Sequence, residues 1–402
     1  MKIALFTETY IPNVNGVVAH VKTLKEGLEQ LGHEVLIVTA DKHAKHHYIE
    51  EGVLHCPAAE IKRFYGFGAA MPISRRRQRL VSGFAPDIIH IHHEFGIGLS
   101  GIWAARALRI PLVYTLHTMY DQYIFYIAPR PLTRVATKFS HKYTGFIARK
   151  ATALTGPSQK CEEYFRRIGV TDELNLIPNS ADLNAFNPEK VTQAEREKLR
   201  ETYGIPKDQM IACFCGRLGK EKSVDVMLEY FAGTITPEDK MHLLIIGDGP
   251  DKKALELMAE GLGIADMVTF TGMVKHEKMP AHFAIGDVYI TASLSEMNSI
   301  SMLEGMASGL PVLQRYDELN ADQISTGENG YTFQTKEEMA AELREIRALD
   351  PERLQALKRQ VIGTVESRGS TQLASYMITV YEKAMAKKRM TAPVRTMRSY
   401  KR

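Results

Sequence analysis

At 402 residues the chain is longer than one hydrophobic core ordinarily serves, so two domains are the default expectation. Hydrophobic residues make up 45% and charged residues 24%, which excludes a disordered chain. No apolar run of about eighteen residues is present to span a bilayer. The net charge of +4 conceals an asymmetry: residues 1–150 carry 19 Lys/Arg against 11 Asp/Glu, residues 383–402 carry eight basic residues and no acid, and residues 151–382 are left at −12. Such segregation predicts a basic lobe that meets an anionic surface. Cys56, Cys161, Cys213 and Cys215 show neither metal-ligand spacing nor a disulfide framework, which fits a reducing cytoplasm. The opening Met1–Glu8 reads as a short strand, not as a signal peptide.

Strand and helix patterns alternate along the chain, which predicts an α/β fold with doubly wound parallel sheets. The first half gives strands at Lys2–Thr7, Glu34–Thr39, Asp87–Ile91 and Leu112–Leu116, and a helix at Val18–Leu31 that closes at Gly32. The pattern shifts near residue 170, and Asn175–Asp182 reads as a crossing between domains. A second series follows at Met210–Cys215, His242–Ile246, Met267–Phe270, Val288–Thr291 and Pro311–Gln314. The last helix, about Thr371–Ala386, precedes a basic tail. Two such sheets facing each other place a ligand crevice at the carboxyl ends of their strands.

The motifs fall just after strands. In Tyr10-Ile11-Pro12-Asn13-Val14-Asn15-Gly16-Val17-Val18, Gly16 opens a helix. Lacking a side chain, it either lets a phosphate or sugar approach the backbone or merely permits a turn. His117 stands at a strand's carboxyl end, where polar work in the crevice is done. His90, His92, His93 and Glu94 follow the preceding strand. A metal site there is set aside because H-x-H-H lacks a matching distant ligand set, and His92 and His93 are read as structural or acceptor-lining. In Gly216-Arg217-Leu218-Gly219-Lys220-Glu221-Lys222, Arg217 as a fork and Lys222 as a point charge either converge on a pyrophosphate or form a solvated turn. On a pyrophosphate they would neutralise a departing diphosphate without Mg²⁺. Gly247-Asp248-Gly249-Pro250 reads as a turn, and Phe270-Thr271-Gly272-Met273-Val274 ends a strand in a glycine whose backbone can meet a flat base. Glu296 and Glu304, with seven residues between them, follow the strand Gly286–Ser293. Glu296 is expected at the loop mouth and Glu304 about two turns into the next helix, facing the same crevice, where a carboxylate can accept two hydrogen bonds from a sugar diol.

In this order the pieces resemble the retaining GT-B glycosyltransferases of family four, over essentially the whole chain. The Pro12–Val18 loop, Pro86–His92, His117-Thr118, Ile177-Pro178-Asn179, Gly216-Arg217 with Glu221-Lys222, Phe270-Thr271-Gly272 and Glu296 with Glu304 carry the resemblance. It implies two Rossmann-like doubly wound domains facing across a crevice, with the C-terminal helix returning to the first. Residues 1–178 would form the acceptor and membrane-facing domain, with 371–390 packing back on it. Residues 179–370 would bind the nucleotide sugar, and 391–402 would be a basic tail. By the same resemblance Glu304 holds the ribose diol, Arg217 and Lys222 stabilise the leaving diphosphate, and Gly16 lies opposite it. Glu296 holds donor sugar hydroxyls, with Asn298, Ser299 and Ile300 as nearby backbone contacts. His117 lies near the transferred sugar and Val274 at the base. The family retains anomeric configuration by front-face attack, the leaving phosphate assisting acceptor deprotonation. No cofactor and no metal are expected, and no enzyme nucleophile is named. One departure is Met297-Asn298, where the family often has Gly and Phe, which bears on the donor-sugar contacts.

Tyr114–Ile124 resembles the branch that glycosylates diacylglycerol at membrane surfaces. Between Asp121 and Glu162 there is no acidic residue, and Arg130, Arg134, Lys138 and Lys142 recur at four-residue spacing beside Leu132, Val135, Phe139, Tyr143 and Phe146. Such a helix either lies on anionic lipid or packs its apolar face on the core with the basic stripe solvated. Ile61–Phe67, the run Arg75, Arg76, Arg77 and Arg79, and the tail 387–402 add further basic patches. No recognition motif accompanies these charges, so nucleic acid is not an expected partner. The expectation is a hexosyltransferase that moves a hexose from a nucleotide sugar, UDP-glucose, to a lipid acceptor, 1,2-diacylglycerol, and so resembles 1,2-diacylglycerol 3-alpha-glucosyltransferases. It would be cytoplasmic and peripheral on the inner face of the cell membrane. The same donor site would also serve a soluble or polysaccharide acceptor, or GDP-mannose with a phospholipid acceptor. A catalytically silent scaffold of the same fold is the third reading, against which the intact Glu296, Glu304, Arg217 and Lys222 set stands.

Overall fold

A computed structural model describes residues 1–13, 15–61, 67–122, 124 and 130–390. Among these residues the strands of the first sheet are β1 Lys2–Thr7, β2 Glu34–Asp41, β3 Tyr48–Glu50, β4 Val53–Ile61, β5 Phe67–Ala70, β6 Ile88–Ile91, β7 Leu112–Thr115, β8 Ala153–Gly156 and β9 Leu174–Leu176. Their order is β3-β4-β2-β1-β6-β7-β8-β9, with β5 on β4. The β3 and β5 strands run antiparallel to β4, and the other pairs are parallel. The second sheet comprises β10 Met210–Cys215, β11 Met241–Ile246, β12 Val268–Gly272, β13 Val288–Thr291, β14 Val312–Arg315 and β15 Gly330–Phe333. It is parallel throughout, in the order β12-β11-β10-β13-β14-β15.

Helices on both faces leave the central strands no water on either side, so these strands are continuous apolar runs. Ile3-Ala4-Leu5-Phe6 in β1 and Leu243-Leu244-Ile245-Ile246 in β11 are almost wholly buried. In each sheet the chain starts in the middle. It passes from β1 outward to β2 and then back to β6, and from β10 to β11 and then back to β13. Ligand crevices form outside the carboxyl ends at such reversals, and the motifs after β1, β6, β10 and β13 all fall there.

The helix Ser370–Met390 returns to the first sheet. Its Leu373, Ala374, Met377, Val380 and Tyr381 join the core beneath the helix Gly16–Gln30, with Val21, Leu24 and Leu28. The two helices meet at Gly27, where a Cβ would lie 2.1 Å from the Ser370 carbonyl oxygen, so a side chain there would force them apart. The Tyr381 hydroxyl is 2.8 Å from His90 Nδ1 and ties this helix to β6.

Several elements differ from the sequence reading. The first helix begins at Gly16, not Val18, because Asn15 Oδ1 accepts the Val18 N–H at 2.9 Å and caps it. The last helix runs to Met390. The β3, β4, β5, β8, β9 and β15 strands carry no strong apolar run and were not anticipated. Asn175 and Leu176, read as part of the crossing, belong to β9. Of the basic patches, Lys62–Gly66, the tail 391–402 and the side chain of Arg130 lie outside the described residues.

Candidate active site

The loops leaving β10 and β13 are built as one seam. A Cβ on Gly247 would lie 1.9 Å from the Gly216 oxygen, and its φ is +142°, so the turn after β11 needs glycine to press against the turn after β10. The Leu218 N–H donates to the Asp248 oxygen at 2.9 Å, and the Asp251 N–H donates to the Leu218 oxygen at 3.0 Å. From the other side, the Ser293 and Ser295 hydroxyls donate to the Glu221 carbonyl at 3.2 and 2.8 Å, and Ser301 Oγ donates to the Cys215 carbonyl at 2.9 Å. On this seam Lys222 Nζ pairs with Glu296 Oε1, and Arg217 Nη1 lies 3.7 Å from Glu221 Oε1. Lys222 and Glu296, both singled out in the sequence, therefore come together, while Arg217 on the same loop faces Glu221.

Ser299 Oγ accepts the Met302 N–H at 3.4 Å and caps the helix Ile300–Ala307. Glu304 thus lies little more than one turn into the helix, a correction to the two turns expected. It is 7% exposed, with Oε1 2.9 Å from His276 Nε2. Burial pushes the Glu304 carboxyl up, and the hydrogen bond to Glu304 raises His276. His276 escaped the sequence reading. It lies two residues past Val274 on the loop leaving β12, and nothing in its local sequence marks it. Val274 is half-buried against the second sheet's core.

Across the crevice, Gly16 faces this helix start: a Cβ on Gly16 would lie 3.9 Å from Ile300 Cδ1. Two helix N-termini, each with first-turn N–H groups and a positive dipole end, thus point at one space. Beside it stand three histidines. His117 Nε2 is 3.0 Å from His92 Nδ1, and the His117 ring centroid is 4.7 Å from that of His20. His20 Nδ1 is 3.0 Å from Asn179 Oδ1. Burial pushes His20 down to about 4, and pushes His92 and His117 well below the usual imidazole range, so all three are neutral at pH 7. A neutral His117 can donate or accept a hydrogen bond but brings no positive charge. His90 and His93 are structural: His90 joins Thr115 and Tyr381, and His93 Nδ1 accepts the Glu8 N–H at 3.2 Å.

The departure at Met297-Asn298 has a structural explanation. Met297 is buried in the first sheet's core, its sulfur 3.4 Å from Cys161 Sγ. Asn298 Oδ1 accepts the Asn179 N–H at 2.9 Å, and its carbonyl accepts Asn179 Nδ2 at 2.7 Å. Its amide also donates to Gln323 Oε1 at 3.1 Å. The Asn298 carbonyl and side chain thus fasten the loop to Asn179 of the crossing segment and to Gln323. Nearby, Lys160 Nζ donates to the Leu294 carbonyl at 2.6 Å and pairs with Asp317. Lys160 and Asp317 contribute through tertiary contacts alone and were likewise missed, while Asn179, part of the Ile177-Pro178-Asn179 motif, was singled out without these contacts.

The predicted basic helix spans Thr133–Ala148. Arg134, Lys138 and Lys142 are exposed on it. So are the apolar neighbours Leu132 at 55%, Val135 at 66%, Phe139 at 70% and Phe146 at 44%, while Thr144, Gly145, Ile147 and Ala148 face the core. The apolar row therefore does not serve the core. Stacked rings run from Phe139 through Tyr143 to Phe95, which meets Tyr120 edge-on. On the helix Arg75–Phe84, Arg75 and Arg76 are exposed, but Arg77 is 1% exposed and donates from Nη2 to the Met71 and Pro72 carbonyls. The membrane role read for Arg77 is thereby corrected: it closes its own helix start, because Arg77 and Val81 share the inward face. Among the described residues no helix is long and apolar enough to cross a membrane.

The family model described as Glycosyltransferase Family 4 matches residues 14–185, and that described as Glycosyl transferases group 1 matches residues 195–361. The alpha-monoglucosyldiacylglycerol synthase of Acholeplasma laidlawii is 31% identical over 390 residues, which cover 96% of this chain and 95% of that protein. The alpha-monoglucosyldiacylglycerol synthase of Streptococcus pneumoniae is 32% identical over 359 residues, which cover 88% and 79%. Among solved structures, Anabaena HepE in complex with UDP and glucose superposes with a TM-score of 0.73 at 16% identity, over 95% of this chain and 100% of that one, a likeness of GT-B fold.

Proposed function

We propose, for a chain that belongs to glycosyltransferase family 4, a retaining transfer of glucose from UDP-glucose to diacylglycerol at an anionic membrane face. The observation that carries the acceptor reading is the exposed apolar row Leu132, Val135, Phe139 and Phe146 beside exposed Arg134, Lys138 and Lys142. A soluble acceptor gives no reason for this arrangement, whereas an anionic lipid surface does. Two relatives over 30% identical are named alpha-monoglucosyldiacylglycerol synthases.

The donor would lie between the helix starts at Gly16 and Ile300, its diphosphate met by first-turn N–H groups and by Arg217 and Lys222. These cations oppose the charge that develops as the C1–O bond to the diphosphate breaks, so no metal ion is required. Glu304 would accept from the ribose diol, with His276 holding its second side. Glu296, oriented by Lys222, would hold donor hydroxyls, and neutral His117 would hydrogen-bond the sugar. The acceptor oxygen attacks C1 on the face the diphosphate leaves, and its proton passes to the departing phosphate oxygen. Bond order at C1 and the proton count are thereby conserved without an enzyme nucleophile.

The test supplies labelled UDP-glucose with diacylglycerol in mixed micelles, in EDTA, and follows the glucolipid and the anomeric coupling of its sugar. An α-glucolipid is expected. Free UDP without glucolipid, or glucose appearing on a soluble acceptor instead, would overturn the lipid reading.

A further inference from the structure

We propose that His20, His92 and His117 form a binding site for a late first-row transition-metal dication, and that the bound ion blocks transfer. One ring nitrogen of each lies within 4.8 Å of the other two. In a tetrahedral site with metal–nitrogen bonds of about 2.0–2.1 Å, ligand nitrogens stand roughly 3.4 Å apart. His92 Nδ1 and His117 Nε2 already stand 3.0 Å apart, so an ion would take the place of the proton they share, which moves to the far nitrogen of one ring. His20 uses Nδ1 on the Asn179 carbonyl oxygen and has Nε2 left to offer. A carbonyl behind a histidine in this way fixes its tautomer and aims its lone pair.

The second observation is an unmet need. His20 is 2% exposed, yet among the described residues its Nε2, the nitrogen left to offer, has no hydrogen-bond partner. Buried polar atoms are ordinarily paired, so this nitrogen calls for a ligand. The sequence reading set a metal aside for want of a distant ligand, and the helix Gly16–Gln30 supplies one. No carboxylate joins the set among the described residues, and three imidazoles select zinc, nickel, copper or cobalt over magnesium or calcium. The inhibitory half rests on the proposed function, which puts His117 against the transferred sugar: an ion that takes the His117 nitrogen occupies the place the sugar needs.

The experiment uses the full chain, stripped with EDTA and dialysed, and titrates Co²⁺. A tetrahedral ligand-field band saturating at one ion per chain and displaced by Zn²⁺ but not Mg²⁺ is expected. His20→Gln and His92→Gln, each checked for folding by circular dichroism, should lose it. Asn179→Ala should weaken cobalt binding about tenfold by freeing the His20 ring. His46→Ala, an exposed histidine elsewhere, should keep the band. Zn²⁺ should inhibit glucosyl transfer competitively with the donor, reversed by EDTA. No band in the wild type, or an undiminished band in both histidine variants, would overturn the site. A normal band without zinc inhibition would overturn the blocking half. A normal band in a protein that turns over no donor would instead strike the proposed function alone.

Discussion

Replacing Arg134, Lys138 and Lys142 by glutamine tests the basic row with little risk to the fold, since all three are exposed on the helix Thr133–Ala148. Surface substitutions of this kind ordinarily change stability by about 0.5 kcal/mol or less. Each cation near an anionic bilayer contributes about 1 kcal/mol, so the triple variant should lose about 3 kcal/mol of membrane affinity, roughly a hundredfold in partitioning. The loss should be largest on vesicles rich in phosphatidylglycerol at low salt. It should shrink near 0.1 M salt, where the screening length is about 10 Å. The neighbouring Phe139 is 70% exposed. An aromatic side chain presents about 150–250 Å², so at about 25 cal/mol/Å² its exposed part is worth roughly 3 kcal/mol if fully immersed, and about half that if one face is. Phe139→Ser should therefore weaken binding to neutral and anionic vesicles alike, whereas the glutamine variant should affect anionic vesicles selectively. Vesicle co-sedimentation reads both. A triple variant that binds anionic vesicles as the wild type does would refute the assignment of this helix to the membrane.

Three further outcomes follow from the site and its surroundings. Lys222→Ala should lower turnover by roughly 2–4 kcal/mol, because it removes charge from the leaving diphosphate and leaves Glu296 without this partner; unchanged turnover in initial-rate assays would exclude the role. Asn179→Ala removes hydrogen bonds to His20 and Asn298 at a buried junction and should cost about 1–3 kcal/mol in thermal unfolding, with a raised donor KM, whereas a wild-type melting curve would mean the junction is not a brace. Glu8 is raised to about 7 by burial, although it accepts the Ile97 N–H at 2.6 Å. A folded pKa above the unfolded one gives stability that is full below the ordinary carboxylate range and is lost as pH rises through about 7. Glu8→Gln should therefore flatten the fall in stability between about pH 4.5 and 8, and an unchanged slope in denaturant titrations would count against it.

What the sequence showed and what it hid follow from where the information resides. Strands β1 and β10 were legible to the residue, and β13 within the wider run Gly286–Ser293, because parallel strands buried on both faces must be apolar throughout. Tyr48–Glu50 and Leu174–Leu176 were not, being three-residue edge strands with partly exposed side chains. Arg217, Lys222, Glu296 and Glu304, the charged residues proposed for the donor side, stood out because they follow strand ends at fixed offsets. Arg77 could not be told from Arg75 and Arg76 by type. Its inward turn depends on where Ser74 starts the helix, and hence on the phase that puts Arg77 with Val81. His20, Asn179 and His276 gain their roles from elements far away in the chain, which no local pattern encodes.

The most direct measurement follows the initial rate of glucolipid formation from UDP-glucose and diacylglycerol, with EDTA throughout, as the phosphatidylglycerol content of the micelles is raised. A rate that climbs with anionic lipid in the wild type and stays flat in the Arg134/Lys138/Lys142 glutamine variant is the predicted result. Glucolipid formed at one rate regardless of lipid charge, or none formed at any composition while a soluble acceptor is glucosylated, would contradict it.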